Sequence, residues 1–91
     1  MKSKKEQRVP KWFDGEVYTE GDIVRNPYSG QEYELNGLEL SIYDLIIGAE
    51  HLVDAFGGPF NKNTIQFQKE MRKGLDWFRS NNVEAYYVLL D

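Results

Sequence analysis

The most restrictive feature of this chain is a long segment with helical periodicity, bounded by a start signal and a stop signal. Asn36 can cap free backbone amides, and Glu39 three residues later completes a capping-box pattern. Ser41 with Asp44 offers a second possible start one turn later. Gly57-Gly58-Pro59 supplies a glycine cap and a proline that prevents continuation. Between these signals the pattern predicts one amphipathic helix, whose apolar stripe is Leu38, Ile42, Leu45, Ala49, Leu52, Val53 and Phe56.

Two short strand patterns precede this helix. Ile23-Val24-Arg25 and Gln31-Glu32-Tyr33-Glu34-Leu35 flank Asn26-Pro27-Tyr28-Ser29-Gly30, whose proline and glycine suit a tight turn. In the second strand, apolar and charged side chains alternate, which is typical of a sheet with one solvated side. Val17-Tyr18-Thr19 is a candidate for a third, shorter strand.

A second helix is predicted to start after Asn61 or Asn63, and its apolar face is Phe67, Met71, Leu75 and Phe78. Gly74 lies beside that face and allows another backbone to approach closely. Residues 83–90 have strand composition, but Asn81 with Glu84 is a helix-start pattern. We favour a short helix there and keep a strand as the alternative.

These elements predict an α+β fold: a β-hairpin or small antiparallel sheet packed on two main helices plus a short C-terminal helix. Residues 1–9 are polar and charged without periodicity, which predicts a mobile basic tail before a single domain over residues 10–91. The core is expected to contain Trp12, Phe13, Ile23, Tyr33, Leu35, Leu45, Leu52, Phe56, Phe67, Met71, Leu75, Phe78 and Leu89.

Composition excludes several classes of protein. The chain has no cysteine, so a disulfide scaffold, a thiolate zinc site and an iron–sulfur cluster are excluded. The uncharged apolar stretch from Leu45 to Ala49 is far too short to span a membrane. The basic start is not followed by the apolar stretch of a signal peptide. We therefore expect a soluble cytoplasmic protein without a membrane partner.

The polar side of the first helix carries the only grouping that suggests chemistry: Asp44, Glu50, His51 and Asp54. Carboxylates beside an imidazole can bind a divalent metal or form an acid–base pair, but they also form ordinary solvated helix faces. With a single histidine in the chain, we predict the solvated face. We expect no catalytic, cofactor-binding or metal-binding residues and no enzymatic activity; an enzyme using His51 with Asp44 or Asp54 ranks last.

A second apolar stripe lies opposite the first and consists of Leu40, Tyr43 and Ile47. Two such stripes mean that the helix is covered on both sides, either by its own chain or by another molecule. The leading hypothesis is therefore a non-catalytic protein–protein interaction domain, with these three residues at the partner interface. The partner is a host protein or a second copy of the chain.

Charge leaves two alternatives open. The net charge is −4, but residues 1–11 carry +4, residues 12–54 carry −9 and residues 55–91 carry +1. A nucleic-acid-binding accessory protein would use the basic tail and one face of the second helix, namely Lys4, Lys5, Lys69, Arg72, Lys73 and Arg79. The central acidic block would repel a phosphate backbone, so nucleic acid ranks below protein as a partner. The same block suggests an acidic inhibitor of the DNA-mimic type.

Two parts of the chain resemble a group of small uncharacterised proteins from tailed bacteriophages, in particular phages of aquatic bacteria. The first is carried by Gly21-Asp22-Ile23-Val24-Arg25-Asn26-Pro27-Tyr28-Ser29-Gly30, Glu34-Leu35-Asn36 and Ser41-Ile42-Tyr43-Asp44. The second is carried by Lys73-Gly74-Leu75-Asp76-Trp77-Phe78-Arg79 and Glu84-Ala85-Tyr86-Tyr87-Val88-Leu89-Leu90-Asp91. Val83 stands where that group often has proline, a residue suited to a first helical position. The resemblance covers over half of the chain. It implies expression in an infected bacterium, and it brings no known activity, cofactor or catalytic residue.

Overall fold

The structure, a computed structural model, describes residues 7–91. Its elements in chain order are strand β1 (Asp22–Arg25), strand β2 (Glu32–Leu35), helix α1 (Gly37–Ala55), a 3₁₀ turn (Lys62–Thr64), helix α2 (Ile65–Asn81), helix α3 (Val83–Ala85) and a π-helical turn (Tyr86–Leu90). An antiparallel two-stranded sheet packs against two main helices and a short C-terminal helical segment. The predicted α+β fold class is therefore confirmed.

The β-hairpin forms around the predicted turn. The Asn26 side chain accepts hydrogen bonds from the backbone N–H groups of Tyr28 and Ser29, at 2.8 and 3.2 Å. The strands pair so that Ile23 lies opposite Glu34 and shares its face of the sheet. That face is solvated, and Ile23 is 59% exposed. The prediction that Ile23 belongs to the core is therefore wrong.

The third strand suggested by Val17-Tyr18-Thr19 does not form. The Tyr18 backbone N–H donates instead to Ser41 Oγ on α1, at 2.8 Å. This backbone donor is thus used by a helix side chain, and the segment lies across the beginning of α1 rather than beside a strand. The sheet keeps two strands.

Both ends of α1 follow the sequence signals. Asn36 Oδ1 accepts from the Glu39 backbone N–H at 2.8 Å, and Glu39 Oε1 accepts from the Asn36 N–H at 2.9 Å. This reciprocal capping box fixes the start at Asn36 and rules out the later start at Ser41. At the other end Gly57 has a φ of 114°, and the Gly58 N–H donates to the Val53 carbonyl at 2.8 Å. This bond closes the helix in the manner of a Schellman motif.

Helix α2 packs along α1 through Gly74. A Cβ atom at Gly74 would lie 2.5 Å from Ile46 Cγ1, so only glycine lets the two helices come this close. The predicted close approach at Gly74 is confirmed. Neither predicted cap lies at the start of α2: its N-cap is Thr64, whose side chain makes no capping bond, so that prediction is wrong. Asn61 instead caps the preceding 3₁₀ turn, where its side chain accepts from the Asn63 N–H at 2.8 Å.

The core lies between β2, the two long helices and the C-terminal segment; its buried cluster is Leu35, Ile42, Ile46, Trp77, Phe78, Ala85 and Leu89. Leu35, Phe78 and Leu89 were predicted there, but Leu52 and Phe56 are 40% and 55% exposed. The apolar stripe of α1 is wider than the surface that α2 covers, and α2 lies over the flank that contains Ile46. The prediction that Leu52 and Phe56 are core residues is therefore wrong.

The short C-terminal helix is confirmed and the alternative strand is not formed. Asn82, rather than Asn81, caps it, and its side chain accepts from the Ala85 N–H at 3.2 Å. The Val88 carbonyl accepts from Asn26 Nδ2 at 2.8 Å, which joins this segment to the hairpin turn. Within residues 7–91, no helix combines the length and the apolar character needed to cross a membrane.

Candidate functional site

An apolar groove of about 300 Å³ runs between the two long helices on one side of the molecule. Its lining is Leu45, Gly48, Ala49, Leu52 and Phe67, with Asp44 and Glu70 at the rim. The Phe56 ring stacks on the Phe67 ring with 5.8 Å between centroids and an interplanar angle of 28°. We call this surface, including Phe56, the helix-pair groove.

The groove exists because α1 carries apolar residues on both flanks of its row of buried residues. Ile42, Ile46 and Val53 are buried, while Leu45 and Leu52 lie on one flank of that row. The segment around Tyr18 covers the N-terminal part of α1 through hydrogen bonds to Ser41 and Asp44. Among the described residues, no hydrogen bond joins that segment to α1 beyond Asp44, and the apolar groove begins there.

Gly48 lies in this groove in the middle of α1. A Cβ atom placed on Gly48 would meet no other atom within 4 Å, unlike one on Gly74. Packing within the described chain therefore gives no reason for glycine at this position. Its effect is to leave the groove open between Leu45 and Leu52.

A second groove, of about 440 Å³, lies on the opposite flank of α1, between the hairpin turn and the C-terminal segment. Tyr43 and Ile47 line it, with Glu50 and His51 nearby. Leu40 does not line it, and Leu40 and Tyr43 both pack against the core cluster. The structure thus places only two of the three predicted interface residues in one cavity, and their interface role stays a prediction.

The polar side of α1 shows no arrangement for metal chemistry. In the described part of the chain, no three histidine, aspartate or glutamate side chains are placed to hold a metal ion together. Asp44, one of the four residues singled out from the sequence, instead accepts a hydrogen bond from the Tyr18 hydroxyl at 2.7 Å. His51 and Asp54 are exposed on the helix surface.

The Tyr18–Asp44 contact predicts a shifted titration. The hydrogen bond to Asp44, and then the negative charge of that carboxylate, raises the pKa of Tyr18 above its ordinary value. The stability linked to neutral Tyr18 is present below the ordinary tyrosine pKa and is lost as the pH rises through the raised one. We expect Asp44→Asn to lower the Tyr18 pKa, measured by NMR titration of its ring. Glu50→Gln, which neutralises an acid on the other flank of α1, should leave that titration unchanged; equal shifts in both variants would contradict the assignment.

Two of the four predicted α2 cations are already partnered. Arg79 donates to Asp76 Oδ1 and to the Tyr86 hydroxyl, both at 2.9 Å, and its guanidinium carbon lies 4.8 Å from the Tyr86 ring centroid. Lys73 Nζ lies 3.7 Å from Glu70 Oε2. Lys69 and Arg72 are exposed, and neither forms an ion pair within residues 7–91. Lys4 and Lys5 lie outside the described residues, as does most of the predicted tail.

A buried polar cluster surrounds Glu39, whose side chain is fully buried. Glu39 Oε2 accepts from Asn82 Nδ2 and from Gln7 Nε2, both at 2.8 Å. Asn82 in turn accepts from the Tyr33 hydroxyl at 3.2 Å. One carboxylate thus joins the start of α1 to the start of α3, a structural role that the capping-box pattern alone did not indicate.

The helix-pair groove was missed at the sequence level because Leu45, Leu52, Phe56 and Phe67 were all assigned to the core. Two features of the sequence could have indicated this groove: the width of the apolar stripe of α1, and Gly48 on the same helix. A buried helix flank is normally close-packed, so it rarely carries a residue without a side chain. No protein-family model matches this chain, and neither a curated protein nor a solved structure is significantly similar to it.

Proposed function

We propose that this chain is a non-catalytic protein-binding domain and that the helix-pair groove is its contact surface. The observation that carries the proposal is the exposure of Leu52 and Phe56, at 40% and 55%, on a helix whose ends are both well capped. Clustered exposed apolar side chains mark interaction surfaces, and aromatic residues contribute much of the binding energy at such surfaces. The stacked pair of Phe56 and Phe67 is already formed, so a partner meets an ordered surface.

The chemistry of the groove supports binding rather than catalysis. Its floor is apolar, and its ionisable residues are Asp44 and Glu70 at the rim. Asp44 accepts the hydrogen bond from Tyr18, and Glu70 lies beside Lys73. The lining holds no nucleophile paired with a base, the arrangement that covalent catalysis requires. The resemblance to small bacteriophage proteins supports a setting in the cytoplasm of an infected bacterium, with a host protein or a second copy of the chain as the partner.

A capture experiment tests this proposal. Tagged protein is incubated with a nuclease-treated bacterial lysate that also contains untagged copies of the chain. We expect Leu52→Glu to lower the captured protein at least about tenfold, because a charge in the groove must be desolvated on binding. The matched control is Ile23→Glu, which changes an apolar residue that is even more exposed than Leu52, on the solvated face of the sheet. Circular dichroism confirms that both variants are folded.

The outcomes separate the candidate surfaces. Equal capture by wild type and Leu52→Glu contradicts the assignment to the helix-pair groove. Loss of capture only in the Tyr43→Asp, Ile47→Asp double variant would place the contact in the second groove. Material that appears only when nuclease is omitted would favour nucleic-acid binding. The exposed cations Lys69 and Arg72, which form no ion pair within residues 7–91, are the observation that keeps this alternative open, and their replacement should then abolish capture.

A further inference from the structure

We infer that the partner seated in the helix-pair groove is a second copy of this chain. The two copies are related by a two-fold axis that runs along the helices, so that α1 of one copy lies on α2 of the other. This inference rests on the proposed function, because it names the partner of the same surface. It is carried by three observations: the charges of the two helices, the level at which they pack and the open position at Gly48.

The charges of the two helices are opposite in sign. Helix α1 contains no lysine or arginine, and its acids are Glu39, Asp44, Glu50 and Asp54. Helix α2 has an excess of bases, namely Lys69, Arg72, Lys73 and Arg79 against Glu70 and Asp76. Of these charged residues, Asp44 of α1 and Glu70 of α2 border the helix-pair groove, with Lys73 beside Glu70, whereas Glu39 is buried and Glu50 lines the second groove. Packing α1 on α1 of a second copy would bring Asp44 towards a second Asp44, whereas packing α1 on α2 brings Asp44 towards Lys73. Only the second arrangement therefore offers Asp44 a cationic partner.

The packing of α2 on α1 within one copy indicates which charged residues would meet across the dimer. The Cβ position of Gly74 lies 2.5 Å from Ile46 Cγ1 and 3.5 Å from Ile42 Cγ2, so this part of α2 is level with residues 42–46 of α1. Lys73 is therefore level with Asp44. A two-fold axis along the helices preserves that level, and it brings Asp44 of each copy opposite Lys73 of the other. Asp44 lies on the groove rim, and Lys73 contacts the rim residue Glu70.

Gly48 gives independent support. A glycine inside a helix weakens that helix relative to alanine. No atom within 4 Å of its Cβ position explains its presence, so the chain gains nothing from it in the isolated molecule. Helix α2 of the second copy, lying along α1, would approach the backbone closely at this position, as α2 of the same copy already does to α1 at Gly74.

The test is a charge exchange followed by sedimentation equilibrium of the full chain. Wild type should form a reversible dimer. Asp44→Lys and Lys73→Asp should each raise the dimer dissociation constant at least about tenfold, because each variant alone brings like charges together in its own dimer. An equimolar mixture of the two variants should restore dimerisation, since both contacts in the mixed dimer pair opposite charges. Leu52→Glu should abolish association in every case.

The matched control uses Glu50→Lys in place of Asp44→Lys. Glu50 is an acid of the same helix, but it lines the second groove. Glu50→Lys alone should dimerise as the wild type does, and adding Lys73→Asp to it should give no more dimer than Glu50→Lys forms by itself. A wild type that remains monomeric, a mixture that fails to associate, or a dimer that survives Leu52→Glu would each overturn the inference. A monomeric wild type with groove-dependent capture from lysate would overturn the second copy as partner and leave the protein-binding proposal standing. A monomer without capture would contradict both.

Discussion

Replacing Glu39 with alanine should lower the free energy of unfolding by about 3–4 kcal/mol, a large part of the stability of a domain of this size. Glu39 is fully buried and accepts hydrogen bonds from the Asn36 backbone, from Asn82 and from Gln7. Without the carboxylate, the buried amide of Asn82 loses its acceptor, the donors of Asn36 and Gln7 at the edge of the cluster lose theirs, and a cavity remains. The carboxylate also lies in the first turn of α1, where the helix dipole favours a negative charge.

Urea unfolding followed by tryptophan fluorescence measures this loss, because Trp77 is buried in the core. Glu34→Ala is the matched control: it removes an exposed glutamate from β2 and should change stability by no more than about 0.5 kcal/mol. Glu39→Gln should fall between the two, since it keeps the shape of the side chain but turns an amide donor toward other donors. If Glu39→Ala costs no more than Glu34→Ala, the buried cluster does not hold the two helix starts together.

The second large effect is expected at Gly74, where alanine should destabilise the protein by about 1–3 kcal/mol through overpacking. The added Cβ atom would lie 2.5 Å from Ile46 Cγ1 and 2.9 Å from Ile46 Cδ1. Ile46 is itself buried and cannot rotate away without disturbing the core. The helices would therefore have to separate, although alanine is the better helix former.

Gly48→Ala provides the matched comparison, because it makes the same change inside the other long helix. Its Cβ atom meets nothing within 4 Å, so the change should stabilise the monomer by about 0.5–1 kcal/mol through helix propensity. Thermal unfolding of both variants, at a concentration where the chain is monomeric, should show shifts in opposite directions. Shifts of the same sign would mean that propensity, rather than packing, decides both positions.

Features determined by neighbouring residues could be predicted from the sequence. The capping box at Asn36 and Glu39, the glycine stop at Gly57 and the turn at Asn26 each rest on contacts within a few residues. Such contacts depend on backbone geometry that the local residues themselves determine. The boundaries of α1 and the position of the hairpin were predictable for that reason.

Features that depend on distant residues were not predictable in the same way. Periodicity shows that α1 has an apolar stripe, but not which flank α2 covers. Ile46, outside the predicted stripe, became buried, while Leu52 and Phe56 inside it became exposed. The second role of Glu39 depends on Asn82, which is 43 positions away in the chain. The helix-pair groove forms because α2 covers one flank of α1 and leaves the other open. Periodicity alone does not show this, so the residues of the groove were predicted to lie in the core.

The hydrogen bonds that join the C-terminal segment to the rest of the domain affect how this segment unfolds. Asn82 is bonded to Glu39 at the start of this segment, and Val88 is bonded to Asn26 near its end. Between them, the single proton of the Tyr33 hydroxyl is shared by Glu84 at 2.9 Å and Asn82 at 3.2 Å. To expose the amides of this segment to exchange with deuterium, the chain must release α1, the turn and β2 together. The hydrogen-bonded amides of this segment, such as those of Ala85 and Tyr86, should therefore share the slow exchange of the core instead of fraying, so that a short helix with little intrinsic stability opens only when the whole domain does.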